Sequence, residues 1–152
     1  EELIMLSEQR AKYSNVTIQA DLKKNLPTVR VSESELQQVF LNLINNALDA
    51  MEKTGGNLTI STRMEGSNII IGDHILIEVA DDGPGIPAAN LAKIFDPFFT
   101  TKPVGKGTGL GLSICYGIIK KMGGNIEARS VIEAGTTFAV KLPLPKTKKE
   151  NA

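Results

Sequence analysis

Ile75-Leu76-Ile77-Glu78-Val79-Ala80-Asp81-Asp82-Gly83-Pro84-Gly85-Ile86-Pro87 decides how the rest of the chain is read. Residues 75–80 alternate and are rich in β-branched side chains, the pattern of a strand. The strand then meets two carboxylates and a Gly-Pro-Gly corner. Gly83 and Gly85 give the main chain conformations that a Cβ resists and let it approach a ligand closely. A carboxylate at such a corner can accept a hydrogen bond from an exocyclic amine, which adenine carries and guanine lacks at that position. The same residues also describe a plain β-turn.

Working back from that turn, residues 58–63 alternate as a second strand, joined to the first by a polar loop containing Gly66 and Gly72. Ahead of them Leu36, Val39, Phe40, Leu43, Ala47 and Met51 recur at three and four residues, one face of a helix. Ser32 or Ser34 offers its N-cap, Glu35 suits the dipole of its first turn, and Gly55-Gly56 ends it. Residues 2–13 read as a short helix, 16–20 as a strand, and 29–31 as a further short strand after Pro27.

Working forward, residues 88–95 hold a helical turn and 97–108 read as a loop. A helix follows over 110–122, stopped by Gly123-Gly124. Residues 126–130 and 136–142 form a final hairpin around Glu133-Ala134-Gly135. Helices and strands mix without regular βαβ alternation. The expected fold is therefore α+β, a mostly antiparallel mixed sheet with helices packed on one face. Residues 1–145 read as one domain and 146–152 as a polar tail.

Composition narrows the function. The chain has 152 residues, 41% hydrophobic and 22% charged, as in an ordinary globular domain. Its 17 basic and 17 acidic residues cancel, so no global field favours nucleic acid or a membrane surface. No stretch approaches the roughly 20 apolar residues that span a bilayer, and no signal peptide is visible. Cys115, the single cysteine, lies in an apolar run and reads as a small buried hydrophobe. A reducing, cytoplasmic setting is compatible with it. His74, the single histidine, reads as a structural surface residue. The chain starts without Met in what reads as mid-helix, as a fragment of something longer would.

Two further patches carry chemistry. Asn42, Asn45 and Asn46 stand mid-helix, where asparagine costs propensity because its amide competes for backbone hydrogen bonds. Asn42, Asn46 and Asp49 group on one surface of the helix. Amide oxygens are hard, neutral ligands suited to a Mg²⁺ that also binds phosphates, although such a surface also serves as a plain polar face. Gly105, Gly107, Gly109 and Gly111 alternate with Lys106, Thr108 and Leu110. They lead into a helix whose first N–H groups favour an anion, with Lys102 and Lys106 close by. A flexible hinge is the plainer alternative. Neither a P-loop nor a Rossmann fingerprint is present.

In this order the patches resemble the N, G1, F and G2 boxes of sensor histidine kinases, within the superfamily that also holds DNA gyrase and the mismatch-repair ATPases. The boxes are Asn42–Asn46, Asp81 with Gly83 and Gly85, Phe95 to Phe99, and Gly107 to Leu112. The resemblance implies a catalytic, ATP-binding domain, a two-layer α/β sandwich with ATP under a mobile lid. Asn46 would bind Mg²⁺ with Asn42 alongside, and Asp81 would accept the adenine amine near Gly83, Gly85 and Ile86. Phe95 and Phe98 would anchor the lid. Thr101, Lys102, Lys106, Gly107, Thr108, Gly109, Leu110, Gly111 and Leu112 would surround the phosphates, Lys102 nearest the γ-phosphate. Thr136 would reach adenine through water.

The resemblance further implies a partner domain that dimerises and carries the phosphoacceptor histidine, and a response-regulator receiver domain downstream. The fragment alone is expected to be monomeric. His74 is not followed by the expected acidic residue and is not the phosphoacceptor. Asp49 stands where many relatives carry a basic residue. Asn42 stands where ATP-hydrolysing relatives place a Glu, so slow intrinsic hydrolysis is expected. A serine kinase of the anti-sigma type and a non-catalytic, nucleotide-responsive module are the competing readings.

Overall fold

The structure is a computed structural model that describes residues 1–68, 72–99 and 111–144, with the side chains of residues 67, 68 and 72 left aside. Its elements run α1 (Glu2–Tyr13), β1 (Val16–Leu22), α2 (Glu33–Ala50), β2 (Gly56–Asn68), β3 (Gly72–Asp81), α3 (Ala88–Leu91), α4 (Gly111–Lys121), β4 (Asn125–Val131) and β5 (Gly135–Pro143). The five strands form one sheet in the order β1-β2-β3-β5-β4. Only β1 and β2 pair in parallel; the other neighbours are antiparallel. This is the expected mixed α+β sheet.

The helices share one side of it. Val39, Leu43, Ala47 and Leu48 of α2 and Cys115 and Ile119 of α4 are buried in one cluster with Ile60, Val79, Phe138 and Val140 from the strands. Alternation along each strand aims every second residue at that layer. Ser32 caps α2, its Oγ accepting from the Glu35 N–H at 3.3 Å. Two glutamates in the first turn complement the dipole.

Three expectations need correction. Residues 29–31 form no strand; Val29 is partly buried against the core, so packing holds it without a ladder. The polar loop between β2 and β3 is shorter than expected, because β2 runs on to Asn68 and β3 begins at Gly72, with a register shift between Glu65 and Asn68. His74 is fully buried, not on the surface. It stands between Glu65 of β2 and Pro143 of β5 in the sheet register, with its Nε2 3.5 Å from Glu65 Oε1. Among the described residues no helix is long and apolar enough to cross a membrane.

Candidate nucleotide site

The site is built around one rung of the sheet. Asp81 pairs with Thr136, and Thr136 pairs with Ser130, so all three side chains leave the same face of β3, β5 and β4. That face is the one covered by helices, because Val79 and Phe138, two residues away in the two strands, lie in the core.

Asp81 turns back on its own corner, its Oδ1 accepting from the Gly83 N–H at 2.9 Å. Burial pushes its carboxyl above the usual range, against the downward pull of the Gly83 and Thr136 backbone N–H groups. A partly desolvated carboxylate of this kind gains more than an exposed one from a ligand donor.

Asp82, next in sequence, does the opposite work. Its two oxygens accept from the backbone N–H of Asn57 at 2.7 Å and the side-chain amide of Asn57 at 3.0 Å. Those bonds hold its carboxyl below the usual range. Asp82 therefore ties the turn to β2.

The corner is braced on its other side by the β4–β5 turn. Gly85 has φ +79°, and a Cβ there would stand 2.4 Å from the Val131 carbonyl oxygen. The Glu133 N–H donates to the Pro84 carbonyl at 2.7 Å. Gly135 has φ +114°, and a Cβ there would lie 1.9 Å from the Asp81 carbonyl oxygen. Ser130 completes the brace and was missed by sequence reasoning. Its Oγ accepts from the Ile86 N–H at 2.7 Å, donates to the Gly135 carbonyl at 3.0 Å and lies 2.9 Å from Thr136 Oγ1. A serine in an alternating strand gives no signal of this by itself; only the strand register exposes it.

The amide helix adjoins this floor. Met51, at the end of α2, is so close to the turn that a Cβ on Gly83 would stand 3.1 Å from its Cγ. Farther back on α2, Asn42 and Asn46 are half-buried. Asn42 donates from Nδ2 to Cys115 Sγ at 3.6 Å, and the thiol faces the Val39 carbonyl at 3.7 Å. Cys115 is buried, as expected, and burial raises its thiol pKa.

The amide nitrogen of Asn42 is thus committed to α4, which turns its oxygen away from the thiol. Gly111, the first residue of α4, is adjacent: a Cβ there would meet Asn42 Cγ at 3.9 Å. Asn45 and Asp49 belong to another contact, both accepting from the Arg10 guanidinium of α1. Asp49 keeps its place on the Asn42 and Asn46 surface of α2, where Arg10 engages it.

Phe95 joins the layers, 5.6 Å from the Tyr116 ring of α4 and 6.3 Å, edge-on, from Phe138 of β5. Phe98 differs from it, being 73% exposed with φ +67°. Phe99, not Phe98, is the second ring packed against the core. Thr101, Lys102, Lys106, Gly107, Thr108, Gly109 and Leu110 lie outside the described residues, whereas Gly111 and Leu112 open α4.

The donor set fits Mg²⁺ bound together with phosphates. Asn42, half-buried and oriented by its thiol partner, stands beside the first residue of α4, and Asn46, also half-buried, lies one turn farther along α2. Among the described residues no group of three His, Cys, Asp or Glu side chains comes together. A protein-only carboxylate cage is therefore not offered there.

One-sided helices on a mixed sheet, with an acidic corner facing an amide helix, define a two-layer sandwich of the histidine-kinase type. The family described as histidine kinase-, DNA gyrase B- and HSP90-like ATPase matches residues 31–146, and the chain belongs to it. It is 44% identical over 138 residues to sensor kinase CckA of Brucella abortus, which covers 85% of this chain and 14% of that protein. It is 40% identical over 140 residues to sporulation kinase C of Bacillus subtilis, covering 91% of this chain and 31% of the relative. The chain thus spans less than a third of either relative.

Among solved structures, the catalytic domain of histidine kinase ThkA, in a nucleotide-free form, superposes with a TM-score of 0.75 at 32% identity, covering 93% of this chain and 88% of that one. Full-length ShkA in complex with AMPPNP gives 0.80 at 27% identity, over 96% of this chain and 29% of that one.

Proposed function

We propose that residues 1–145 are the ATP-binding catalytic domain of a two-component sensor histidine kinase. The domain transfers the ATP γ-phosphoryl to a histidine on a dimerisation domain outside these residues, in the cytoplasm. A response-regulator receiver domain takes the phosphoryl next. The observation that carries this reading is the partly desolvated Asp81, held at a braced corner beside the amide helix α2. The names of the relatives, sensor and sporulation kinases, favour it over an anti-sigma serine kinase or a non-catalytic module.

Each part has a physical task. Asp81 accepts the adenine amine and fixes the base. Asn46, with Asn42 alongside, holds Mg²⁺, which when bound neutralises phosphate charge. The N–H groups at the start of α4 and Lys102 complete the phosphate end. Phosphoryl transfer asks little covalent chemistry of a protein, so positioning and charge neutralisation are the main contributions. No carboxylate stands at Asn42 to activate water, which keeps intrinsic hydrolysis slow.

Calorimetric titration with Mg-ATP tests the reading. Wild type binds and Asp81→Ala loses binding. Phosphoryl transfer to an added histidine-bearing dimerisation domain then follows, with little phosphate released to water. Absence of binding at millimolar nucleotide would sink the proposal, and equal binding by the variant would displace Asp81 from it.

A further inference from the structure

The hydrogen bonds at the sheet rung fix more than the shape of the corner. A serine hydroxyl has one proton to donate and two lone pairs. The Gly135 carbonyl can only accept, so the Ser130 proton goes to it at 3.0 Å. The Ile86 N–H can only donate, so it takes one lone pair at 2.7 Å. One lone pair remains for Thr136 Oγ1 at 2.9 Å, and in that contact the threonine must be the donor.

The Thr136 proton is thereby consumed inside the protein. Thr136 is 5% exposed, and the hydrogen-bonding capacity its hydroxyl has left is lone pairs. The neighbour on the rung, Asp81, is an acceptor as well. The polar floor formed by these two side chains therefore offers acceptors and no hydrogens.

We propose that Ser130 is a specificity-determining positioning residue: by absorbing the Thr136 proton it makes the floor acceptor-only, and so selects 6-amino purine nucleotides against 6-oxo ones. This deepens the nucleotide reading and rests on it. A 6-amino group, or a water held beside it, brings hydrogens to both acceptors. A 6-oxo group brings an oxygen, and neither side chain can turn to donate. Asp81 alone would leave Thr136 free to rotate its hydroxyl toward that oxygen and soften the penalty. A site with buried groups that cannot be satisfied discriminates more sharply than one that adapts.

The test is the ratio of dissociation constants for ITP and ATP, both with Mg²⁺, on the intact chain. Ser130→Ala lowers that ratio about tenfold, as expected when one hydrogen bond changes from unavailable to available. A purely structural role would weaken both nucleotides together and leave the ratio where it was, which would overturn the proposal. If Ser130→Ala does not fold, Thr136→Val carries the test. It removes the remaining lone pairs while the Ser130 bonds to Ile86 and Gly135 persist. A ratio that falls supports the proposal; an unchanged ratio overturns it. Wild type that binds neither nucleotide would sink the nucleotide reading and this proposal with it, whereas wild type that binds ATP with a ratio insensitive to both substitutions would sink this one alone.

Discussion

The acidic corner at residues 81–86 and the amide helix α2 adjoin one another, yet they are held by different means. The corner is fixed by backbone. Gly85 and Gly135 lie at positive φ against carbonyl oxygens of neighbouring strands, and Ser130 closes the remaining gap. The amides of α2 are fixed by side chains, Asn42 by a thiol and Asn45 by a guanidinium. A hydrogen bond to sulfur is weak, and an exposed ion pair such as Arg10–Asp49 is worth about 1 kcal/mol or less. On the proposed reading, the end that takes the base is braced by backbone contacts, and the end that takes metal and phosphate is held by weaker side-chain contacts.

The strongest way to break that contrast is Gly135→Ala. The added methyl would overlap the Asp81 carbonyl at a φ that L residues avoid. The expected loss is about 3 kcal/mol or more of unfolding free energy, seen in urea titration, together with loss of Mg-ATP binding. Tolerance of alanine there would mean the corner is adaptable after all.

Asp81→Asn tests the chemistry of the corner without its backbone. ATP affinity falls about thirtyfold, the scale of a buried hydrogen bond to a charged group. The pH dependence has a definite sign. Burial raises the Asp81 pKa above 3.8, and accepting the amine needs the ionised form. Wild-type affinity therefore declines on acidification at a pH above the ordinary carboxylate range, and the variant does not share that decline. For stability the sign is opposite: folding favours the protonated acid, so the wild type carries its burial penalty above the raised pKa, and Asp81→Asn relieves it at neutral pH.

Asn46→Ala sharpens the other side. Stability changes little, since the residue is half-buried on the polar face. The gain in ATP affinity on adding Mg²⁺ shrinks at least about tenfold, the loss that follows even when a supporting group around a metal is removed. Titration with and without EDTA reads this directly; an unchanged Mg²⁺ effect would remove Asn46 from the metal.

The smallest effect belongs to Asp82→Asn. Its lowered pKa means it stabilises the fold above 3.8 and loses that contribution as pH falls through the depressed value. Thermal melts should show the variant slightly less stable than wild type at pH 7 and equal to it in strong acid, with ATP affinity nearly intact. A large loss of affinity would mean that the two adjacent carboxylates share one role.

Much of this was legible in the residues. The span of α1 and the face of α2 followed from periodicity, and the glycine corner followed from its composition, because those signals are local. His74 shows where such reading stops. A lone histidine at the start of a strand looks exposed, yet His74 is buried in a strand flanked by Glu65 of β2 and Pro143 of β5. Phe95 and Phe98 read alike in sequence, yet one is packed between Tyr116 and Phe138 and the other faces outward.

The sequence by itself determined the α+β sandwich and the order of its glycine and asparagine patches. Period and turn chemistry act over a few residues and survive in a linear text. Only the tertiary structure decided how two neighbouring aspartates divide their work, one bonded to Asn57 and one left with its corner, and why Ser130 belongs to the site. Those outcomes depend on which strands lie side by side, and hydrogen-bond capacity can be counted only once every donor has its acceptor in reach.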